Sequence, residues 1–105
     1  MARDMTHIQD INRGVLSSIS YLPNVKEKNE IFNLGNSSPI KTSFLLNFIE
    51  DRLKKKANII HKSTSNEIKQ THACLKKSTK LLKYIPEVTF EDGLNDFIDW
   101  LKSLQ

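Results

Sequence analysis

The feature that most limits the fold is a pair of apolar stripes with helical period near the two ends of the chain, separated by a middle that turn-forming and polar residues repeatedly interrupt. Ile8, Ile11, Val15, Leu16 and Ile19 recur at three- and four-residue steps, which predicts an amphipathic helix running to about Tyr21. Thr6 with Gln9 as a capping box, or Gln9 and Asp10 in the first turn, can start it. Near the other end, Phe90, Leu94, Phe97, Ile98, Leu101 and Leu104 form a second stripe. Thr89 stands at its N-cap position, and Glu91 and Asp92 fall in the first turn, where the helix dipole favours carboxylates. An apolar stripe has to be buried against another element, so the middle of the chain must supply one.

Pro23-Asn24 ends the first helix, and Lys26 to Asn29 reads as a solvated loop. Glu30 to Leu34 is a short apolar run, read as a strand, that stops at the turn-forming cluster Gly35-Asn36-Ser37-Ser38-Pro39. From Thr42 or Ser43 as N-cap, Phe44, Leu45, Phe48, Ile49 and Leu53 mark another helical face, closed by the cations Lys54, Lys55 and Lys56. Ala57 to Ile60 reads as a second strand. His61 to Gln70 is polar and without period, a loop that either covers something or contacts a ligand. A further helix is expected over about Leu75 to Tyr84, ending near Pro86, whereas Arg3 to Ile8 is too short to decide between strand and coil. The expectation is a small α+β unit of about four helices with two or three short strands. At 105 residues it makes one domain, of a size that buries only about two-thirds of the unfolded chain's surface.

Composition narrows the function mainly by exclusion. Apolar residues make 38% and charged residues 27%, the balance of a globular protein. No apolar run approaches the roughly 20 residues that cross a bilayer, and Met1 to Arg13 carries charges where a signal peptide needs an apolar stretch, so a cytoplasmic protein without membrane contact is expected. Cys74 is the single cysteine, and no CxxC or Cys/His cluster surrounds it. A disulfide scaffold and a structural zinc site are both unsupported, and Cys74 is expected to pack near the third helix as a small hydrophobe. His7, His61 and His72 are too scattered for a metal site. The net charge of +4 gathers at Lys54 to Lys56 and in Lys69, Lys76, Lys77, Lys80 and Lys83. Helix C-termini and solvated helix faces account for these lysines, and with little aromatic interleaving no nucleic-acid partner is expected.

Catalytic chemistry is missing as well. A phosphate-cradling loop needs closely spaced glycines, and this chain has only Gly14, Gly35 and Gly93, far apart. A Tyr-x-x-x-Lys pair would place an ammonium one helical turn from a phenol and lower its pKa, but Tyr21 is followed by Val25 and Tyr84 by Val88 at that spacing. No catalytic residue and no metal ligand is expected.

Four segments, in order, resemble the C-terminal part of the extended short-chain dehydrogenase/reductase family, especially its NAD-dependent UDP-glucuronate and UDP-glucose 4-epimerases. Arg3-Asp4-Met5-Thr6-His7-Ile8-Gln9-Asp10-Ile11 resembles Arg-Asp-aromatic-Thr-aromatic-Val-Asp-Asp-Ile, and Glu30 through Ile40 resembles the loop (Phe/Tyr)-Asn-Ile-Gly-Asn-Ser-x-Pro-Val. Leu81-Leu82-Lys83-Tyr84-Ile85-Pro86 resembles Leu-Leu-Gly-Tyr-x-Pro, with Lys83 in place of the glycine. Val88 through Leu94, continuing to Trp100, resembles the closing Thr-Ser-Leu-Glu-Glu-Gly-Leu and a final helix ending in Trp-Tyr.

The resemblance implies the lobe that grips the nucleotide-sugar, with the N-terminal NAD-binding Rossmann domain and the catalytic set absent. It implies a C-terminal fragment of a UDP-sugar epimerase or dehydratase, working in polysaccharide precursor synthesis, that binds UDP-sugar weakly, holds no cofactor and is inactive alone. Carried over by position, Arg3 matches an arginine that pairs with the diphosphate, Met5 lies where the family has an aromatic residue beside it, Ile40 matches an apolar residue lining the nucleotide pocket, and Glu67 matches an aspartate on the ribose hydroxyls. The family's second phosphate-binding arginine falls on Thr64, its Pro-Gly pair on Ser65-Asn66, and the aspartate opening the next helix on Cys74. A non-catalytic interaction module keeping the same fold is the alternative. The stripes through Ile11 and Val15 and through Phe97 and Leu101 would partly face the missing domain, so exposed apolar surface is expected. The partner would be an N-terminal catalytic half or a second copy. Trp100 is expected to serve packing.

Overall fold

The computed structural model describes residues 1–26 and 29–105; the loop read at Lys26 to Asn29 falls partly on Glu27 and Lys28, outside the described residues. Among the described residues there are four α-helices: α1 (Ile8–Tyr21), α2 (Thr42–Leu53), α3 (Lys76–Leu82) and α4 (Phe90–Ser103). A 3-10 turn, Leu22–Asn24, continues α1, with Pro23 early in the turn where its missing N–H costs nothing. Strands β1 (Ala2–Arg3) and β2 (Ile40–Lys41) pair antiparallel, with Ala2 opposite Lys41 and Arg3 opposite Ile40. The α+β class and the helix count are those read from the sequence.

The caps obey local chemistry with two departures. Thr89 accepts the Asp92 N–H through its hydroxyl, as expected of its position. At α1 the cap is His7 rather than Thr6, and its Nδ1 accepts the Gln9 N–H at 3.1 Å. At α2 the N-cap is Lys41, which makes no side-chain cap bond, because Thr42 is already helical and turns its hydroxyl to the Met1 carbonyl. Lys54 and Lys83 both close their helices in the left-handed conformation, with φ of 55° and 57°. Glycine usually holds that position, which is where the family pattern has it in place of Lys83.

Both strands read from hydrophobicity are corrected. Residues 29–34 and 55–60 form no sheet. In the first segment the carbonyls that a ladder would use are taken by side chains instead: Ile31 O by Lys77, Asn33 O by the Ser78 hydroxyl and Gly35 O by the Tyr84 phenol. In the second, Ala57 N–H donates to Glu50 Oε1, and the whole run 54–70 is exposed. The real strands sit at Ala2–Arg3 and Ile40–Lys41, where backbone pairing in a two-residue ladder leaves no hydrophobic period to read. Cys74 is exposed rather than packed, since its segment lies over the edge of the Asn33–Gly35 loop, where Asn33 Nδ2 reaches the Cys74 carbonyl.

Burial is concentrated and small. Only Leu82, Tyr84, Phe90 and Ile98 are buried among the described hydrophobic residues. Phe90 meets Phe44 and Phe48 of α2 at centroid separations of 5.9 and 6.0 Å, so α2 covers the start of α4. The molecule measures 54 × 38 × 18 Å. A thickness below two helix diameters, at about 10 Å each, leaves most side chains with an open side.

Candidate functional site

Two carboxylates, Asp4 half-buried and Asp10 buried, organise the region that the motifs point to. Asp4, just past β1, accepts the backbone N–H groups of Ser37 (3.0 Å), Ser38 (3.3 Å) and Ala73 (3.1 Å), while its own N–H donates to Thr71 Oγ1 at 2.9 Å. The turn-rich loop 35–39 is thereby wrapped around one side chain. Gly35 has to be glycine, because a Cβ there would lie 2.6 Å from Ala73 Cβ and 2.9 Å from Asp4 Oδ2. Tyr84 reaches the Gly35 carbonyl from the opposite side at 2.7 Å. Burial, then the negative charge of Asp10, raises the pKa of that phenol and keeps it a donor.

Asp10, in the first turn of α1, is fully buried. It accepts the N–H groups of Glu87 at 2.9 Å and Val88 at 3.1 Å and is paired with Arg13, which also lies 3.4 Å from Glu87. This carboxylate ties α1 to the turn that launches α4. Its position in the first turn suits the dipole, but the amides are its main partners. The four motif segments are thus the segments that clasp one another: Asp4 holds the loop, Tyr84 closes on it, and Asp10 fixes the entry to α4.

A third cluster closes the end of α1. Tyr21 donates to Glu30 Oε1 at 2.9 Å, Lys77 Nζ lies 3.2 Å from Glu30 Oε2, and the same ammonium sits 4.7 Å above the Phe32 ring. The Tyr21 hydrogen bond, then Lys77, lowers the Glu30 pKa, and the same bond to Glu30 raises that of Tyr21.

Of the four expected binding residues, two meet directly. Arg3 and Ile40 are partners across the β1–β2 ladder. The other edge of β1 is bridged by Gln70, with Ala2 N–H donating to Lys69 O at 2.9 Å and Thr71 N–H to Ala2 O at 3.2 Å. Arg3 Nη1 donates to the Ile68 carbonyl at 2.7 Å and to Ala2 O at 3.1 Å, which brings the Glu67–Ile68 backbone beside the guanidinium. Glu67 itself is exposed in the bend 65–67, and Thr64 is exposed just before it. Met5 lies apart from this edge, in a groove of about 440 Å³ whose walls include Ile8, Leu45, Phe97 and Trp100.

The clasping roles of Asp4, Asp10, Ser78 and Tyr84 are not legible in the sequence, which marks Asp10 only as a first-turn residue of α1. The available signal was in the motifs themselves: Asp4 and Asp10 match the family pattern, yet they are carboxylates amid apolar neighbours, a placement that asks for amide partners. Among the described residues no group of histidine, cysteine and carboxylates could hold a metal, and no helix is long and apolar enough to cross a membrane.

No protein-family model matches the chain. It is 42% identical over 102 residues to an uncharacterized protein of Methanocaldococcus jannaschii, covering 95% of this chain and 30% of that protein. It is 36% identical over 106 residues to a UDP-glucuronate 4-epimerase of Thermodesulfobacterium geofontis, covering 96% of this chain and 30% of that enzyme. UDP-glucuronate 4-epimerase 4 of Arabidopsis thaliana is 32% identical over 118 residues, with 98% of this chain and 26% of the enzyme covered. The chain therefore spans less than a third of the length of these relatives. Among solved structures, UDP-glucuronic acid 4-epimerase of Bacillus cereus, in complex with UDP-glucuronic acid and NAD, superposes with a TM-score of 0.79 at 30% identity, over 97% of this chain and 32% of that one. MoeE5, in complex with UDP-glucuronic acid and NAD, shares the fold with a TM-score of 0.82 at 16% identity, over 97% of this chain and 33% of that one. In sequence and in fold, the chain is similar to the C-terminal portion of NAD-dependent UDP-glucuronate 4-epimerases.

Proposed function

We propose that these residues act as the substrate-side lobe of a UDP-sugar 4-epimerase, contributing contacts to the UDP-sugar and leaving hydride transfer to a part of such an enzyme that they do not include. The observation that carries this reading is the β1 edge, where Arg3, Ile40 and the Glu67–Ile68 backbone meet. A guanidinium is suited to a diphosphate because its fork matches two phosphate oxygens at once. Ile40 supplies an apolar wall for the base, Glu67 an acceptor for ribose hydroxyls, and Met5 a further apolar contact. NAD belongs to the absent part, since the chain holds neither a glycine-rich loop nor a Tyr-x-x-x-Lys pair. The setting this implies is cytoplasmic synthesis of sugar precursors for polysaccharide.

Affinity is expected to be weak, because Thr64 stands where the family pattern has its second arginine. A charge-assisted hydrogen bond contributes about 1.5–3 kcal/mol, so its loss lowers affinity by about one to two orders of magnitude. Titrating UDP-glucuronate into the labelled chain should shift the amides of Arg3, Ile40 and Glu67, and Arg3→Ala should remove most of the shift. No shifts at near-millimolar ligand, or shifts indifferent to Arg3→Ala, would sink the proposal. Epimerisation by the chain with NAD would refute the assignment of chemistry elsewhere. An interaction module remains the second reading, favoured by the exposed apolar residues Val15, Leu16 and Ile19 along α1.

A further inference from the structure

A guanidinium carries five N–H donors, and in Arg3 those on Nη1 are committed to the backbone, at 2.7 Å to Ile68 O and 3.1 Å to Ala2 O. The Nε–Nη2 edge is left over, and that edge is a fork able to take two oxygens of one phosphoryl group. The two carbonyls hold the side chain along the strand, so the fork is set before any ligand arrives. No carboxylate neutralises it: Asp4, next in the chain, is turned to the amides of Ser37, Ser38 and Ala73. Among the described residues Arg3 enters no ion pair.

A second cation stands beside this fork. The carbonyl that Arg3 grips belongs to the peptide leading into Lys69. With 2.7 Å from Nη1 to Ile68 O, and about 2.8 Å from a carbonyl oxygen to the next Cα, the Lys69 Cα lies within about 5.5 Å of the guanidinium. A lysine stem of four carbons reaches about 6 Å, enough to bring its ammonium alongside. The strand register agrees. Lys41 pairs with Ala2 and Gln70 bridges it, so those three side chains share one face, and alternation sends Arg3, Ile40 and Lys69 to the other. Lys69 is exposed and belongs to no helix, so no helix dipole accounts for its charge there. Among the described residues neither Lys69 nor Glu67, two residues away, enters an ion pair. Two adjacent cations without a counter-charge repel each other, and an anion bound between them removes that cost.

We propose that Lys69 is the second cation of the Arg3 site: the Arg3 fork takes one phosphoryl group of a nucleoside diphosphate, and the Lys69 ammonium takes the adjoining one. This rests on the reading of the β1 edge as a UDP-sugar contact, and adds to it a residue that offsets part of the charge missing at Thr64. The offset is partial because an ammonium is a point charge without a fork.

Titrating UDP and, separately, UMP into the labelled chain tests the assignment. Lys69→Gln keeps most of the stem and removes the charge. It should weaken UDP about tenfold and UMP less than about threefold, because the single phosphoryl group of UMP is held by Arg3. Lys69→Arg should keep UDP within about threefold of wild type, since the charge is retained. Lys41→Gln, on the opposite face and at a side chain that makes no cap bond, should leave both affinities unchanged. UDP binding that Arg3→Ala removes and Lys69→Gln leaves intact overturns this inference alone. So does an equal loss for UDP and UMP, or a Lys41→Gln variant as weak as Lys69→Gln, since either result makes Lys69 one part of a general positive field. No binding of UDP by the wild-type chain overturns the UDP-sugar reading, and this inference with it.

Discussion

Asp10→Ala is the substitution from which the structure predicts most. The carboxylate has no exposed surface and holds two backbone amides, Glu87 N–H at 2.9 Å and Val88 N–H at 3.1 Å, 77 and 78 residues away in sequence. Removing it leaves both donors without their acceptor in a part-buried turn, at about 1–3 kcal/mol each. The Arg13 contact adds little, because that side chain is 40% exposed and its charge is screened by solvent. The expected loss is therefore about 2–6 kcal/mol, a large fraction of the roughly 5–15 kcal/mol that holds a domain together. Arg13→Ala should cost less than about 1 kcal/mol. Urea unfolding followed by circular dichroism, at one fixed protein concentration so that association does not shift the midpoint, separates the two. Asp10→Asn is the informative intermediate: its amide oxygen can still accept one N–H while its NH2 group opposes the other, so the loss should fall between wild type and Asp10→Ala. If Asp10→Ala and Arg13→Ala cost the same, the clasp works through the ion pair and the reasoning from the amides is wrong.

Three further outcomes follow from the same frame. Gly35→Ala forces a methyl to within 2.6 Å of Ala73 Cβ and should destabilise by about 1–3 kcal/mol, measured as a lowered melting temperature; an unchanged midpoint would show that the 35–39 loop is not tightly held. Tyr84→Phe leaves the Gly35 carbonyl without its donor and should cost about 1–2 kcal/mol in the same urea assay. The Glu30 pKa is lowered from its ordinary 4.5, so its contribution is present above that value and is lost as pH falls through the lower folded value; the Tyr21 pKa is raised from 10.0, so its contribution is present below pH 10 and is lost above it. Unfolding free energy against pH should slope at both edges for wild type and flatten in Tyr21→Phe; equal slopes in the two proteins would refute the Tyr21–Glu30 coupling.

Much of the helical content was legible in the sequence because it rests on local rules. The stripe from Ile8 to Ile19 placed the end of α1 at Tyr21 while leaving its cap open, and Thr89 with Glu91 and Asp92 marked the start of α4 to the residue. The strands were misread because hydrophobic runs say nothing about where a carbonyl finds its donor. Glu30–Leu34 looks like a strand, yet Lys77, Ser78 and Tyr84 arrive from more than 40 residues away and take its carbonyls first. Met1 to Asp4 shows no strand pattern, yet Lys41 and Gln70 flank Ala2 on both edges.

The site divides in the same way. Arg3, Ile40 and Glu67 were singled out only by the positions they take in the family resemblance, since nothing in composition or spacing marks them. That Arg3 and Ile40 are ladder partners, that Ile68 O holds the guanidinium, and that Met5 lies in a separate groove were decided by pairing across the fold. The sequence by itself determined the helices, whose hydrogen bonds close within a few residues, and the absence of a glycine-rich loop and a Tyr-x-x-x-Lys pair. Only the tertiary structure decided which carboxylate is buried and that Phe97, Trp100 and Leu104 of α4 are left exposed, because burial depends on what the rest of the chain brings within reach, and a layer 18 Å thick has too little to cover every apolar side chain.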